Sequence, residues 1–283
     1  MKKGESVFNS NSIFKSNDIR GVYPSELNET IAYRIGRAFS NYLNQSKIVV
    51  GQDMRLSSPS LSKSFKKGLV DSGSIVIDIG LCDSPMIYFA TSFLKIPGAM
   101  ITASHNSKEY NGIKLMKKNA EPIGINTGLL KIRNLSNKDL PFSKEKGKVI
   151  NKNLYSEYKK YVLSFFNNKV INKKITIVVD AGNGMAGKIV PLIYKNIPIK
   201  IIKQDFKLDG SFPNHLPNPA IKENLTHIIE GVRKNKPDFG IAFDGDMDRV
   251  FFVDEIGKTI NPSYISALLI SQFYKGNSIV YNS

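Results

Sequence analysis

The strongest constraint on this chain is a rhythm. Short β-branched apolar runs alternate with stretches whose apolar residues recur at helical spacing. Residues 47–51 (KIVVG) read as a strand. Ser58 then has the character of an N-cap and Pro59 that of a first helical position. Leu61, Phe65 and Leu69 follow on one helix face, with Gly73 at the expected stop. Residues 74–79 (SIVIDI) read as the next strand, and Ser84-Pro85 repeats the cap signal for a helix to about residue 95. Residues 98–102 (GAMIT) form a third strand. This alternation requires crossover connections. The expected fold class is therefore α/β, with successive βαβ-type domains whose mixed, mostly parallel sheets are covered by helices.

From residue 136 to 174 the composition shifts. Residues 136–153 (SNKDLPFSKEKGKVINKN) are polar and Lys-rich, as in a linker or a solvated face. Leu154, Tyr158, Tyr161 and Phe165 then make a helical stripe. The alternation resumes with a strand at 175–180, a helix after Met185, a strand at 199–202 and a helix near 224–234. Strands at 239–243 and 250–254 flank an acidic turn. These shifts divide the 283 residues into three expected segments: 1–150, 151–255 and 256–283. The last holds one helix (264–274) and one strand (278–281), too little to enclose a core. It reads as the start of an incomplete third domain.

Charge raises a competing class. Lys+Arg number 40 against 24 Asp+Glu, a net +16, which suits a nucleic-acid binder. The lysines are dispersed, however, and no nucleic-acid motif accompanies them, so no such partner is expected. The single cysteine, Cys82, excludes an intramolecular disulfide and a Cys-rich zinc site. The apolar runs are too short to span a bilayer, and MKKGESVFNSNS has no apolar core of a secretory signal. A reduced, cytoplasmic protein without a membrane partner is the expectation.

Four motifs carry chemistry. Asp244-Gly245-Asp246-Met247-Asp248-Arg249 places three carboxylates at alternate positions in a turn between strands. Oxygen-only ligands of this kind suit Mg²⁺ better than zinc. An EF-hand fits the first aspartates, but Arg249 stands where its loop needs Gly, and strands replace the flanking helices. Thr102-Ala103-Ser104-His105-Asn106 lies at a strand's C-terminal end, where open α/β sheets bind ligands. No G-x-S-x-G elbow surrounds Ser104, and adjacent Ser and His rarely align as nucleophile and base. A phosphate-carrying serine suits the loop better, with His105 and Lys114 as donors to the phosphate. Gly182-Asn183-Gly184-Met185-Ala186-Gly187 matches a dinucleotide fingerprint, with Asp205 as a weak acidic partner. A tight strand-to-helix turn is the favoured reading of those glycines. Arg20, in Asp18-Ile19-Arg20-Gly21, can reach a phosphate or simply face solvent.

Together these pieces resemble one family, the α-D-phosphohexomutases, in their phosphomannomutase/phosphoglucomutase branch. Residues 13–29 (IFKSNDIRGVYPSELNE) look like the family's N-terminal motif, and 102–115 (TASHNSKEYNGIKL) like its phosphoserine loop. Residues 178–187 (VVDAGNGMAG) resemble the opening of its second domain, 209–225 (DGSFPNHLPNPAIKENL) a segment typical of the branch, and 242–250 (AFDGDMDRV) its metal loop. The resemblance implies a mutase that interconverts hexose 6-phosphate and hexose 1-phosphate, of mannose and/or glucose, through a 1,6-bisphosphate. It implies a phosphorylated Ser104 and a Mg²⁺ held by Ser104, Asp244, Asp246 and Asp248. Glucose or mannose 1,6-bisphosphate would be the activator that phosphorylates Ser104. Arg20, Lys114 and His105 would serve the reacting groups, and Arg249 would bind phosphate.

The chain departs from the family pattern at several positions. Met247 replaces a glycine of the metal loop, Asn17 a tyrosine, Ser107 a proline and Gln52 an arginine, while Arg55 is kept. The sugar-recognition loop and the C-terminal phosphate loop are not found. The expectation is a partial mutase whose residues 256–283 drive association. The alternatives are an inactive Mg²⁺-binding remnant, a dinucleotide-binding oxidoreductase and a basic nucleic-acid-binding protein.

Overall fold

In the computed structural model, which describes residues 12–44, 46–166, 174–195, 197–274 and 276, the alternation resolves into two sheets. The first unit contains β1 (Ile19–Val22), α1 (Glu29–Leu43), β2 (Lys47–Gln52), α2 (Ser58–Asp71), β3 (Ile75–Leu81), α3 (Ser84–Leu94) and β4 (Gly98–Ile101). It continues with β5 (Tyr110–Met116), α4 (Leu130–Ser136) and β6 (Val149–Asn151). Its strand order is β1-β5-β4-β2-β3-β6. Strands β4, β2, β3 and β6 are parallel, and β5 runs antiparallel to both β4 and β1.

The second unit follows α5 (Tyr155–Leu163). It contains β7 (Ile175–Asp180), α6 (Ala186–Tyr194), β8 (Ile199–Gln204), α7 (Thr226–Asn235), β9 (Phe239–Phe243), β10 (Val250–Val253) and β11 (Thr259–Ile260). The order is β11-β10-β9-β7-β8, parallel across β9-β7-β8 and antiparallel beyond. The α/β class with mixed, mostly parallel sheets is thus what the chain adopts.

Three local readings are corrected. Tyr110–Met116, taken with the serine motif, is a strand paired to β4 with Gly98 opposite Met116. Val149–Asn151, inside the stretch read as a linker, extends the sheet edge by pairing with β3. Neither Ser58 nor Ser84 caps a helix. The capping positions are Ser57 and Asp83, and the two hydroxyls donate to Asp53 and Asp246 instead.

Helix α1 starts where Asn28 accepts the Ile31 N–H at 3.1 Å, and it buries Ile31, Ile35, Ala38 and Phe39. It crosses α2 at bare backbone. A Cβ on Gly36 would lie 2.2 Å from the Phe65 carbonyl oxygen, and one on Gly68 2.1 Å from that of Tyr33.

One apolar cluster joins the units. Met86, Ile87, Leu154 and Tyr158 pack in the same buried group as Ile189 and Ile193 of α6. Helix α8 (Pro262–Phe273) closes the described chain with an outward apolar surface. Tyr264 is 73% exposed, Leu268 56% and Leu269 51%, while Ile265 is half-buried. The side chain of Phe273 and the strand expected at 278–281 lie outside the described residues. Among the described residues no helix is long and apolar enough to cross a membrane.

Candidate active site

Ser104 follows β4 in a turn closed by the Asn106 N–H donating to the Ala103 carbonyl at 3.1 Å. Its backbone takes φ 54°, a left-handed conformation that costs a non-glycine residue about 1–2 kcal/mol. The turn is held by Arg55, whose side chain is fully buried. Arg55 donates to the carbonyls of Ser107 (2.7 Å) and Tyr110 (3.0 Å) through Nη1, and to those of Ser104 (2.8 Å) and Asn106 (2.6 Å) through Nη2. Its Nε lies 3.3 Å from Asp53, so the cation is paired as well as bonded. The Ser104 N–H donates to the Thr102 hydroxyl.

The Asp244–Asp248 loop of the second unit meets this turn across the seam between the sheets. Ser104 Oγ donates to Asp244 Oδ2 at 2.8 Å. Asp244 Oδ1 accepts the Arg249 N–H at 3.0 Å. A Cβ on Gly245 would lie 2.5 Å from the Ser104 carbonyl oxygen, so only glycine permits this approach. Met247, where the family pattern has glycine, takes φ 63° and carries the same left-handed strain. Its side chain packs partly into the apolar clusters beside the seam.

The carboxylates of Asp244, Asp246 and Asp248 converge within 4.8 Å of one another. Lys114 of β5 crosses the seam to Asp246 and Asp248, at 2.6 Å from each. Ser84 Oγ donates to Asp246 Oδ2 at 2.6 Å. Burial opposes the charge on Asp246. The Lys114 charge and hydrogen bond, with the Ser84 hydroxyl, override it and hold that carboxyl well below the usual range. Burial opposes the Lys114 charge too, and the two aspartates overcome it, raising the ammonium above its usual range. Burial pushes Asp244 up, reinforced by its acidic neighbours. Asp246 Oδ1 is buried without a hydrogen-bond partner. An orphaned carboxylate oxygen inside an oxygen-only group fits a hard divalent cation.

A cavity of about 670 Å³ opens above the seam. Arg20, Ser104, His105, Lys114, Asp248 and Arg249 line it, while Asp244 and Asp246 lie beneath, fully buried. The residues expected to serve the phosphoserine and metal chemistry (Arg20, Ser104, His105, Lys114, Asp244, Asp246, Asp248 and Arg249) are therefore in or directly under one cavity. Arg20 is oriented by Asp18 and Asn106. His105 Nδ1 lies 3.3 Å from Ser104 Oγ, so the adjacent imidazole does reach the hydroxyl, contrary to expectation. Burial, then the charges of Arg249 and Arg20, push its pKa down to about 4. The ring is therefore held in its uncharged form at neutral pH.

Four further residues serve the site without having been assigned a role in it from the sequence. Lys15 and Tyr88 line the cavity, Ser84 orients Asp246 and Arg55 clamps the turn. Lys15 lay within a motif already noted. The Ser-Pro cap signal concealed Ser84, Tyr88 carried no local sign, and Arg55 was noted only as a kept position of the family pattern. The Gly182–Gly187 turn is filled by protein. Gly184 lies against Gly245, whose carbonyl accepts the Met185 N–H at 2.9 Å.

Fold and site together define an α/β protein whose serine and acidic loop come from two sheet units and meet in one cavity. The family model described as phosphoglucomutase/phosphomannomutase alpha/beta/alpha domain I matches residues 11–140, and that of domain II matches residues 156–257. The chain belongs to the phosphoglucomutase/phosphomannomutase family. It is 43% identical over 262 residues to a protein named phosphohexose mutases from Xanthomonas campestris, covering 90% of this chain and 57% of that one. It is 41% identical over 269 residues to an Escherichia coli phosphomannomutase, covering 92% and 59%. A crystal structure of a family protein from Burkholderia thailandensis superposes with a TM-score of 0.80 at 31% identity, over 92% of this chain and 59% of that one. The chain thus spans under two thirds of the length of these relatives.

Proposed function

We propose that this chain carries the phosphoryl-transfer side of a cytoplasmic phosphohexomutase, which interconverts hexose 6-phosphate and hexose 1-phosphate of mannose and/or glucose. The observation that carries this reading is the Ser104 hydroxyl on Asp244, set across the seam from an acidic loop with an orphaned oxygen. Residues 1–150 supply the serine, and residues 151–255 supply the carboxylates. Asp244, Asp246 and Asp248, with an oxygen on Ser104, hold Mg²⁺. That ion supplies charge neutralisation for the transferring phosphoryl group.

Ser104 Oγ presents the phosphoryl group to a hydroxyl of the bound sugar monophosphate. The bond to Ser104 Oγ breaks as the bond to the sugar oxygen forms, and the sugar hydroxyl passes its proton to the uncharged His105 imidazole at Nδ1. The resulting 1,6-bisphosphate turns over and returns its other phosphate to Ser104. His105, beside Ser104 Oγ and uncharged, is placed to hold a proton at Nδ1. Arg20 and Arg249 bring positive charge to the phosphate oxygens, and Lys114 balances Asp246 and Asp248. Positioning and charge do most of this work.

The test is incubation with glucose 1,6-bisphosphate and Mg²⁺ followed by mass spectrometry of the Ser104 peptide. Phosphate on wild type and none on Ser104→Ala is the expected result. No label on wild type, or equal label on the variant, overturns the reading.

Residues 256–283 are further proposed to mediate association through the outward surface of α8. Leu268 and Leu269 are both more than half exposed, so Leu268→Lys with Leu269→Lys leaves the fold intact. Sedimentation that shows the same oligomer in the double variant counts against the idea.

A further inference from the structure

A second convergence of ligand atoms lies in the second unit, just beyond the end of β8. Asp205, His215 and His227 bring their ligand atoms within 4.8 Å of one another. Asp205 Oδ2 is 3.0 Å from His227 Nδ1 and 3.5 Å from His215 Nε2. In a tetrahedral zinc site with bonds of about 2.0–2.1 Å, neighbouring ligand atoms stand about 3.3 Å apart. The observed separations already bracket that value.

The surrounding groups orient these atoms. Asn214 donates to Asp205 Oδ1, which leaves Oδ2 facing both imidazoles. His215 Nδ1 lies 2.9 Å from the Leu216 carbonyl oxygen. A carbonyl only accepts, so Nδ1 carries hydrogen and Nε2 is the atom that faces inward. This outer hydrogen bond to a backbone carbonyl is the support that metal-binding histidines ordinarily have. Asp180 Oδ2 lies 3.0 Å from His215 Nε2 and helps fix the ring's position. Asp205 itself is held at φ 53°. His227 is 42% exposed, which leaves a path in from solvent.

The donor set differs in kind from the Asp244–Asp248 loop. Oxygen alone suits magnesium, whereas two imidazoles and a carboxylate suit zinc. We propose that Asp205, His215 and His227 form a transition-metal site of the two-histidine, one-carboxylate type, with Zn²⁺ as the ion its ligands suit best. The three ligands come from the end of β8, the loop of residues 209–218 and the start of α7. A bound ion would tie these segments together. The same loop packs on the first unit, where Phe212 lies 5.0 Å under the Arg55 guanidinium and Gly210 lies against the Arg55 backbone. The site therefore braces the surface on which the Ser104 clamp rests.

The experiment uses the full chain, stripped with chelator and held in excess Mg²⁺ so that the aspartate loop is filled. Calorimetric titration with Zn²⁺ is expected to show one equivalent bound and a raised melting temperature. Co²⁺ in its place is expected to give the strong visible absorption of a four-coordinate nitrogen and oxygen site. Asn214→Ala, which removes the outer support of Asp205 together with a hydrogen bond to Asn183, should weaken Zn²⁺ about 10- to 100-fold. His227→Gln, at a partly exposed position, should abolish the Co²⁺ spectrum and the shift in melting temperature while keeping the far-ultraviolet dichroism of wild type. Unchanged Zn²⁺ affinity in His227→Gln overturns the proposal, as does Zn²⁺ binding that rising Mg²⁺ displaces in full. Neither result bears on phosphate at Ser104, so the two proposals fail separately.

Discussion

At the scale of single residues, the seam depends on how closely Gly245 meets the Ser104 carbonyl. Gly245→Ala places a methyl group 2.5 Å from that oxygen. It should cost about 1–3 kcal/mol in urea unfolding and sharply reduce labelling of Ser104. Asp83 makes a separate prediction. Burial raises its carboxyl to about 7, against the hydrogen bond from Tyr158 and backbone amides, and Asp246 adds to the rise. The folded state thus favours the protonated form. The associated stability is complete below the ordinary aspartate value of 3.8 and is lost as pH climbs through about 7. Asp83→Asn should remove that slope. It should gain on wild type between pH 4 and 8 by up to about 4 kcal/mol, read from denaturant midpoints. Residue-level legibility followed chain distance. The aspartates and the serine loop were readable because each motif is contiguous. Ser84 was not, because its partner Asp246 is 162 residues away and its local signal was that of a cap.

Among elements, strands with strong apolar runs were readable and those without were not. β2, β3 and β7 announce themselves by Val and Ile, and β9 by Ile241 between two phenylalanines. β5 carries Asn111 and Gly112 in a site motif, and β6 is a short exposed edge in a Lys-rich stretch, so pairing rather than composition defines both. The α1–α2 crossing offers an element-level test. Gly→Ala inside a helix ordinarily gains up to about 1 kcal/mol. At Gly68 the added methyl would meet the Tyr33 carbonyl oxygen at 2.1 Å, and backbone cannot swing aside. Gly68→Ala should therefore destabilise, by about 1–3 kcal/mol. A neutral or positive shift in the urea midpoint contradicts this account of the packing.

For the whole molecule, the apolar cluster shared by the units predicts joint unfolding. Ile189 of α6 is fully buried among Met86, Leu154 and Tyr158. Ile189→Ala should cost about 2–5 kcal/mol and lower a single transition seen alike by near- and far-ultraviolet dichroism. Two separated transitions would show that the seam is only a contact. The sequence showed Leu154 and Tyr158 as part of a helical stripe after a Lys-rich stretch at 136–153, but not that this stripe packs against both units. The Arg55 clamp has a consequence in time. Loops that carry reactive groups ordinarily open early and exchange their amide hydrogens fast. The Ser104 turn is tied at four carbonyls to one buried guanidinium, so it cannot loosen by degrees. Its amides should exchange with deuterium on the slow clock of the neighbouring strands, and Arg55→Lys should move that stretch onto the fast one.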